Sequence, residues 1–308
     1  MTKMFMMVGL PASGKSYQAQ IYADRYNAQI FSSDAYRGVI GVDETDQSVT
    51  GQVFAQMIPD MINTLLLNKS IIFDATNTNS KKRRHFLNQI KKIKCEKICV
   101  LVLRTFDNCI KANKERERTV PDWVISKYYK SFETPYLEEG FDSIEVVYTD
   151  NDSTCLGYPH QFIQKYENYN QHNSHHTQTL GHHCLSVQNY ILDHYIVTKK
   201  VHGLELYFAA QIHDCGKPFC QTYTNMKGEP TEEAHYYGHE AVGAYDSLFY
   251  NFYDPAIDKL LISFLISNHM RPMNWVAGTK AEQRCRANWG EKKFNLIKIL
   301  HEADISAK

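Results

Sequence analysis

Apolar residues follow two different rhythms along this chain. In the first half they form short continuous runs at 4–8, 28–31, 70–73, 97–103 and 143–148. Runs this short predict strands, and ones with little polar alternation are strands buried on both faces. Between them, 15–25, 50–67, 81–92, 107–118 and 122–132 have helical composition. Strands alternating with helices predict an α/β domain, a mainly parallel sheet with helices on both faces and its ligands gathered at the carboxyl ends of the strands. Near Asp150 the rhythm changes. Residues 151–174 are rich in Tyr, Asn, Gln and His and poor in apolar groups, which predicts a linker. From 175 to 308 the chain reads as mostly helical, over 185–197, 204–212, 232–249, 254–267 and 294–303, so an all-α second domain is expected after a first domain at 1–150. No internal repeat is visible.

A length of 308 residues suits two domains, each able to bury its own core. Lys and Arg number 34, as do Asp and Glu, so no global field draws the chain onto nucleic acid. A polynucleotide contact would need a local patch. The best candidate is Lys81-Lys82-Arg83-Arg84 continuing through Lys91, Lys92 and Lys94, a run that reads equally well as the solvated face of a helix. No apolar run is long enough to span a membrane, and the first residues lack a signal-peptide core and cleavage site, so a cytoplasmic protein is expected. The eight cysteines show no paired two-residue spacing and read as reduced, mostly buried thiols.

Between the first apolar run and the first helix lies Gly9-Leu10-Pro11-Ala12-Ser13-Gly14-Lys15-Ser16. In a strand–loop–helix setting such a segment cradles phosphates. Glycines let the amides turn inward, the helix N-terminus adds positive potential, Lys15 neutralises β/γ oxygens and Ser16 can ligate Mg²⁺. Two further strand ends carry acids, Ser33-Asp34-Ala35-Tyr36-Arg37 and Asp74-Ala75-Thr76-Asn77. Phosphoryl transfer to a hydroxyl needs a carboxylate beside the attacking oxygen and cations around the moving group. Asp34 fits the base, Arg37 one turn later could hold an acceptor phosphate, and Asp74 could orient the metal or acceptor. Either aspartate could instead cap the helix that follows.

Histidine and aspartate dominate the candidate chemistry of the second half. Hydrolysis of a phosphomonoester needs a cation to polarise the phosphate and activate water. Neutral imidazoles with carboxylates suit Mn²⁺, Fe²⁺, Co²⁺, Ni²⁺ or Zn²⁺. A single histidine carries little weight, but the adjacent pair His213-Asp214 closes an apolar helix.

Gly-x-Pro-x-Ser-Gly-Lys-Ser, Ser33-Asp34-x-Tyr36-Arg37, Asp74-Ala-Thr-Asn77 with Arg83-Arg84, Val120-Pro121, Phe132-Glu-x-Pro135 and Glu139-Gly140-Phe141-Asp142 together resemble the polynucleotide 5′-kinase family, over residues 1 to about 150. The resemblance implies ATP with Mg²⁺, and a loop in which Gly9, Ser13, Gly14, Lys15 and Ser16 bind the nucleotide. It also implies Asp34 as general base, Arg37 on the acceptor's phosphate, and lid arginines on the ATP phosphates among Arg116 and Arg118, where the spacing departs by about a residue. P-loop kinases of metabolites share most of these signals.

Leu180-Gly-x-His183-x-x-x-Val187, Ala209-Ala210-x-Ile212-His213-Asp214-x-Gly216-Lys217, Gly238-His239-Glu240, Asn268-His269 and Ala303-Asp304 look like the HD-domain phosphohydrolase superfamily, from about Thr177 onward. That likeness implies one metal on His183, His213, Asp214 and Asp304, a second on His239 and His269 with Asp214 bridging, and Lys217 near the substrate phosphate. His183 is chosen over His182 because Val187 and the helix face at Leu185 align with it. His175 and His176 could contact phosphate or belong to the linker.

Families of these two kinds are joined in bacterial end-healing enzymes. The implied activity is repair of RNA or DNA strand ends, with 5′-OH phosphorylation plus removal of a 3′ or cyclic phosphate, and a ligase acting downstream. The alternatives are a small-molecule or nucleoside kinase fused to a nucleotidase, and a kinase regulated by a nucleotide-binding HD module.

Overall fold

In this computed structural model the structure describes residues 1–41, 47–150, 155–174, 177–196, 203–276 and 278–307. The chain divides into two units, one of Met1–Tyr128 with Pro135–Asn151, the other of Tyr129–Thr134 with Asp152–Lys308.

The first unit runs β1 (Lys3–Val8), α1 (Lys15–Tyr26), β2 (Gln29–Ser32), α2 (Ser33–Ile40), α3 (Thr50–Leu66), β3 (Ile71–Asp74), α4 (Ser80–Gln89), β4 (Glu96–Leu103), α5 (Phe106–Lys114), α6 (Asp122–Tyr129, whose last residue falls in the second unit) and β5 (Ser143–Tyr148). The strands form one sheet in the order β2-β3-β1-β4-β5, and every pairing is parallel. A parallel sheet must be covered on both faces, which explains why Met4–Val8 and Val100–Leu103 are fully buried and lack polar alternation. Phe5 and Met7 pack on Ala19, Tyr22 and Ala23 of α1. In α3 the residues Val53, Met57, Met61 and Leu65 recur every fourth position as one buried stripe. The α/β expectation agrees with this architecture. Helix 107–118 is shorter than expected and stops at Lys114, leaving Arg116 and Arg118 in the loop beyond it.

The second unit runs α7 (Pro159–Lys165), α8 (Leu180–Ile191) with a π-turn at Leu192–Ile196, α9 (Gly203–Ile212), α10 (Lys217–Cys220), β6 (Thr222–Thr224), β7 (Pro230–His235), α11 (His239–Ser247), α12 (Lys259–Asn268) and α13 (Lys280–Ser306), bent at Gly290. It is helical but not all-α. The helix expected over 232–249 begins only at His239, because Asn225–Gly228 forms a turn, closed by Gly228 N–H to Asn225 C=O, and Pro230 starts a strand that pairs antiparallel with β6.

The stretch expected as a linker carries α7, and buries Phe162 and Gln171. The 129–134 strip, inside the span assigned from sequence to the first domain, packs in the second unit: Phe132 lies edge-on to Tyr245 at 5.0 Å and the Thr134 and Ser263 hydroxyls are 2.7 Å apart. No helix among the described residues is long and apolar enough to cross a membrane. Val197, the end of one expected helix, and His175 and His176 lie outside the described residues.

Candidate functional site

β1 ends in the phosphate loop, with the carboxyl ends of all five strands supplying polar groups around it. Gly9 is required by crowding: a Cβ there would stand 2.4 Å from the Val102 carbonyl. Gly14 caps α1 with φ 94°, a conformation that disfavours any side chain. Ser13 is fully buried and Ser16, the second residue of α1, is exposed. Lys15 is buried and donates to the Leu10 carbonyl at 2.6 Å, inside its own loop. Burial lowers its pKa from 10.5 to about 8, with the Asp74 carboxylate pulling the other way. Burial in turn raises the Asp74 carboxyl, against Lys15 and the Ser16 hydroxyl bonded to it. Lysine, serine and aspartate are thereby brought together in one polar pocket of charge, although Asp74 was only a candidate from its strand end.

Asp34, in the first turn of α2, is half exposed and sits between two arginines. Arg37 Nη1 lies 2.6 Å from one carboxylate oxygen and Arg118 Nη1 3.1 Å from the other. Arg37 itself is buried. The helix cap is Ser32, whose hydroxyl accepts from Ala35 N–H, so Asp34 does not serve as the cap. Arg116 is exposed. The structure thus brings Arg118, expected on the nucleotide phosphates, to Asp34.

Three residues that sequence reading missed brace the loop from behind. Arg104 donates to Ala12 C=O at 3.0 Å, Thr149 Oγ1 donates to Ser13 C=O at 2.7 Å, and Asp150 accepts from Thr105 N–H at 2.6 Å while pairing with Arg104 at 3.7 Å. Their only sequence signal is position, the first polar residues after the β4 and β5 runs. Arg83, expected in a basic surface patch, is instead buried against Glu139, with two bonds of 2.6 and 2.5 Å, and donates to Asn77 C=O at 2.9 Å. An unpaired guanidinium could not be buried there, so the patch loses its centre while Lys81 and Lys82 stay exposed.

In the second unit, five helices send side chains to one buried cluster. His183 comes from α8, His213 and Asp214 from the turn directly after α9, His239 from the first residue of α11, His269 from the residue that caps α12 and Asp304 from α13. All six are buried. Gly216 lets α10 meet α11, since a Cβ there would stand 2.1 Å from the His239 carbonyl. The ligand-type atoms fall into two groups, His183–His213–Asp304 and Asp214–His239–His269, each with its atoms within 4.8 Å of one another. Asp214 faces both: Oδ2 is 3.4 Å from His213 and 3.6 Å from His183, and Oδ1 is 3.2 Å from His239 and 3.7 Å from His269. His182, by contrast, is largely exposed and lies 3.8 Å from Glu167.

Proton positions follow from the outer ring nitrogens. His213, His239 and His269 each place Nδ1 on a backbone carbonyl, of Ala210, Tyr236 and Ile266, at 3.0, 2.8 and 2.7 Å. A carbonyl only accepts, so each Nδ1 carries hydrogen and each Nε2 faces inward. Burial works against a charge on His213, but the Asp214 carboxylate beside it raises this imidazole well above its ordinary value, so without a metal its inner nitrogen keeps a proton shared with Asp214 and Asp304. The Nε2 atoms of His239 and His269 then face each other at 3.4 Å. Two lone pairs so placed repel unless a positive centre lies with them, which is the donor chemistry that fits a divalent ion. Burial, reinforced by His239 and His213, pushes His269 down to about 3, so it is neutral at ordinary pH. Asp214 and Asp304 are buried, which works against their charge, yet the surrounding groups prevail: Lys217 and His213 hold Asp214, and His183 and His213 hold Asp304, well below the usual carboxylate range. Lys217 Nζ is 2.6 Å from Asp214 Oδ2 and 2.7 Å from Gln171 Oε1.

Residues 4–135 match the AAA domain family. An L-seryl-tRNA(Sec) kinase of Methanococcus maripaludis is 27% identical over 146 residues, 45% of this chain and 56% of that protein. A protein of Acanthamoeba polyphaga mimivirus, named as a bifunctional polynucleotide phosphatase/kinase, is 28% identical over 165 residues, 51% of this chain and 36% of that one. The chain thus matches about half and about a third of the length of these relatives. A chain in a solved Pnkp1/Rnl/Hen1 complex is 17% identical, with a TM-score of 0.34, 51% of this chain and 52% of that one being covered. The first unit is thus an α/β domain carrying a phosphate loop, and both of these relatives are named as kinases.

Proposed function

We propose that this protein heals broken nucleic-acid ends, phosphorylating a 5′-OH with ATP in the first unit and removing a 3′-terminal or cyclic phosphate in the second, an HD-type phosphohydrolase domain. The observation that carries the reading is the pairing, on one chain, of a phosphate loop with a buried two-group cluster whose imidazole nitrogens gather around the two oxygens of Asp214.

In the kinase step Asp34, oriented by Arg37 and Arg118, takes the proton as the 5′ oxygen attacks the γ-phosphorus and ADP departs. Lys15 and the loop amides hold the β/γ oxygens, and Mg²⁺ arrives with ATP at Ser16, next to Asp74. Arg37 is the arginine assigned to the acceptor's phosphate. In the second unit His183, His213 and Asp304 would hold one divalent ion and His239 and His269 another, with Asp214 shared. Such an ion, of Mn²⁺, Fe²⁺, Co²⁺, Ni²⁺ or Zn²⁺, polarises phosphate oxygens and makes water acidic. Lys217 lies at the edge of the cluster, where its ammonium can meet a phosphate oxygen. The substrates are RNA or DNA ends, with a ligase as the partner such ends would serve.

The archaeal relative named for seryl-tRNA favours a second reading, in which the first unit phosphorylates a hydroxyl other than a strand's 5′ end. Offering the protein a 5′-OH oligonucleotide, a free nucleoside and seryl-tRNA, each at rising salt, separates the two. End healing predicts preference for the oligonucleotide and a steep loss with salt, whereas preference for either other acceptor would overturn it.

A further inference from the structure

Beside the histidine cluster, the second unit carries aromatic rings that neither its core nor the cluster uses. His235 ends β7 and its ring stacks on Tyr237, centroids 5.2 Å apart and planes within 12°. Tyr237 is 40% exposed, leaving ring surface open to a further planar group.

Two connections tie this pair to the cluster. Tyr237 lies two residues before His239, so their Cα atoms can be no more than about 7 Å apart. Tyr236, between His235 and Tyr237, donates its hydroxyl to Gln171 C=O at 2.6 Å and accepts His239 Nδ1–H on its own carbonyl, while Gln171 Oε1 takes a bond from Lys217. Charge says what would occupy the platform. The hairpin carries Glu229, Glu232 and Glu233 against Lys227 alone, which repels a phosphate backbone but not a neutral planar ring.

We propose that Tyr237, backed by the stacked His235 ring, forms a nucleobase platform: the base of the terminal nucleotide stacks on the open side of Tyr237, while the terminal phosphate lies at Asp214 and Lys217. A stack reads any base, since every base has a π face. The inference rests on the phosphatase reading above and names the part of the substrate that the second unit recognises.

The test compares Tyr237→Ala and Tyr237→Phe with the unaltered protein, using adenosine 3′-phosphate and the base-free β-glycerophosphate in the presence of Mn²⁺. The kcat/KM preference for the nucleotide should fall roughly five- to a hundredfold in Tyr237→Ala, the range of one lost base–aromatic stack, and return in Tyr237→Phe. Tyr237→Leu, which keeps bulk without a ring face, replaces the alanine variant should that fail to fold. An unchanged preference, or the same loss in the phenylalanine variant, would overturn the platform. If the unaltered protein hydrolyses neither compound, the phosphatase reading fails by itself. Calorimetric binding of adenosine 3′-phosphate then decides, weaker binding to Tyr237→Ala supporting the platform and equal binding sinking it.

Discussion

The phosphate loop is eight consecutive residues whose working parts are mostly main-chain amides, while the histidine cluster is six side chains drawn from five helices. The first needs one strand to end beside others that prop it, as Arg104 and Thr149 do. The second exists only when α8, α9, α11, α12 and α13 are packed, and its residues are spread from His183 to Asp304. Local backbone geometry tolerates change in neighbouring side chains, whereas a cluster of convergent donors depends on every helix that brings one. The two regions should therefore fail in different ways.

The largest effect is expected at Asp214, the one carboxylate facing both halves of the cluster. Asp214→Ala removes an oxygen from each group and leaves Lys217 without its anion, so phosphate release should fall to background with every divalent metal, a loss beyond the roughly 10–100-fold typical of removing a group that only supports a ligand. Kinase activity measured on the same sample should persist. The opposite break is Lys15→Ala or Asp34→Ala, each of which should abolish phosphate transfer from radiolabelled ATP while metal-dependent phosphate release continues. Loss of both activities in either experiment would mean the sites are not independent.

A smaller effect belongs to the structural support of the first unit. Arg83 and Glu139 are fully buried partners, and removing one leaves an uncompensated charge. Arg83→Ala should destabilise by about 3–5 kcal/mol, and the paired change Arg83→Met with Glu139→Leu should recover most of it. Denaturant unfolding followed by circular dichroism would show this, and equal loss in the single and paired variants would contradict it.

The smallest effect concerns pH. The free protein holds Lys15 near 8 against 10.5 for an ordinary lysine. Between those values the unfolded chain binds the extra proton, so this residue's penalty is full below 8 and relieved as pH rises to 10.5. Bound ATP favours the charged form, so binding above pH 8 should take up a proton and weaken with rising pH. Calorimetry in buffers of different ionisation enthalpy would detect the uptake, which Lys15→Ala should lack.

Legibility in the sequence followed the same divide. The sheet was readable because β1 to β5 are short apolar runs with turn signals between them, and the loop because its residues are contiguous. From the residues themselves the cluster was readable only as separate His and Asp positions whose convergence depends on tertiary packing, and their grouping around Asp214 came from the family resemblance alone. Sequence alone could not foresee that Arg83 would be buried on Glu139, since 56 positions separate them and a basic run normally faces solvent. Nor could helical composition at 232–238 reveal a hairpin, because the decision rests on the turn at Asn225–Gly228 and on Pro230. Arg104 and Asp150 carry no motif, and only the sheet's topology brings them to the loop.

One oligonucleotide tests the central claim most directly. A strand with a 5′-OH and a 3′-phosphate, incubated with the protein, ATP, Mg²⁺ and Mn²⁺, can be read by mass spectrometry at both termini. End healing predicts a phosphate gained at the 5′ end and one lost at the 3′ end, the first abolished by Lys15→Ala alone and the second by Asp214→Ala alone. A strand left unchanged at both ends, while a free nucleoside in the same tube is phosphorylated, would contradict it.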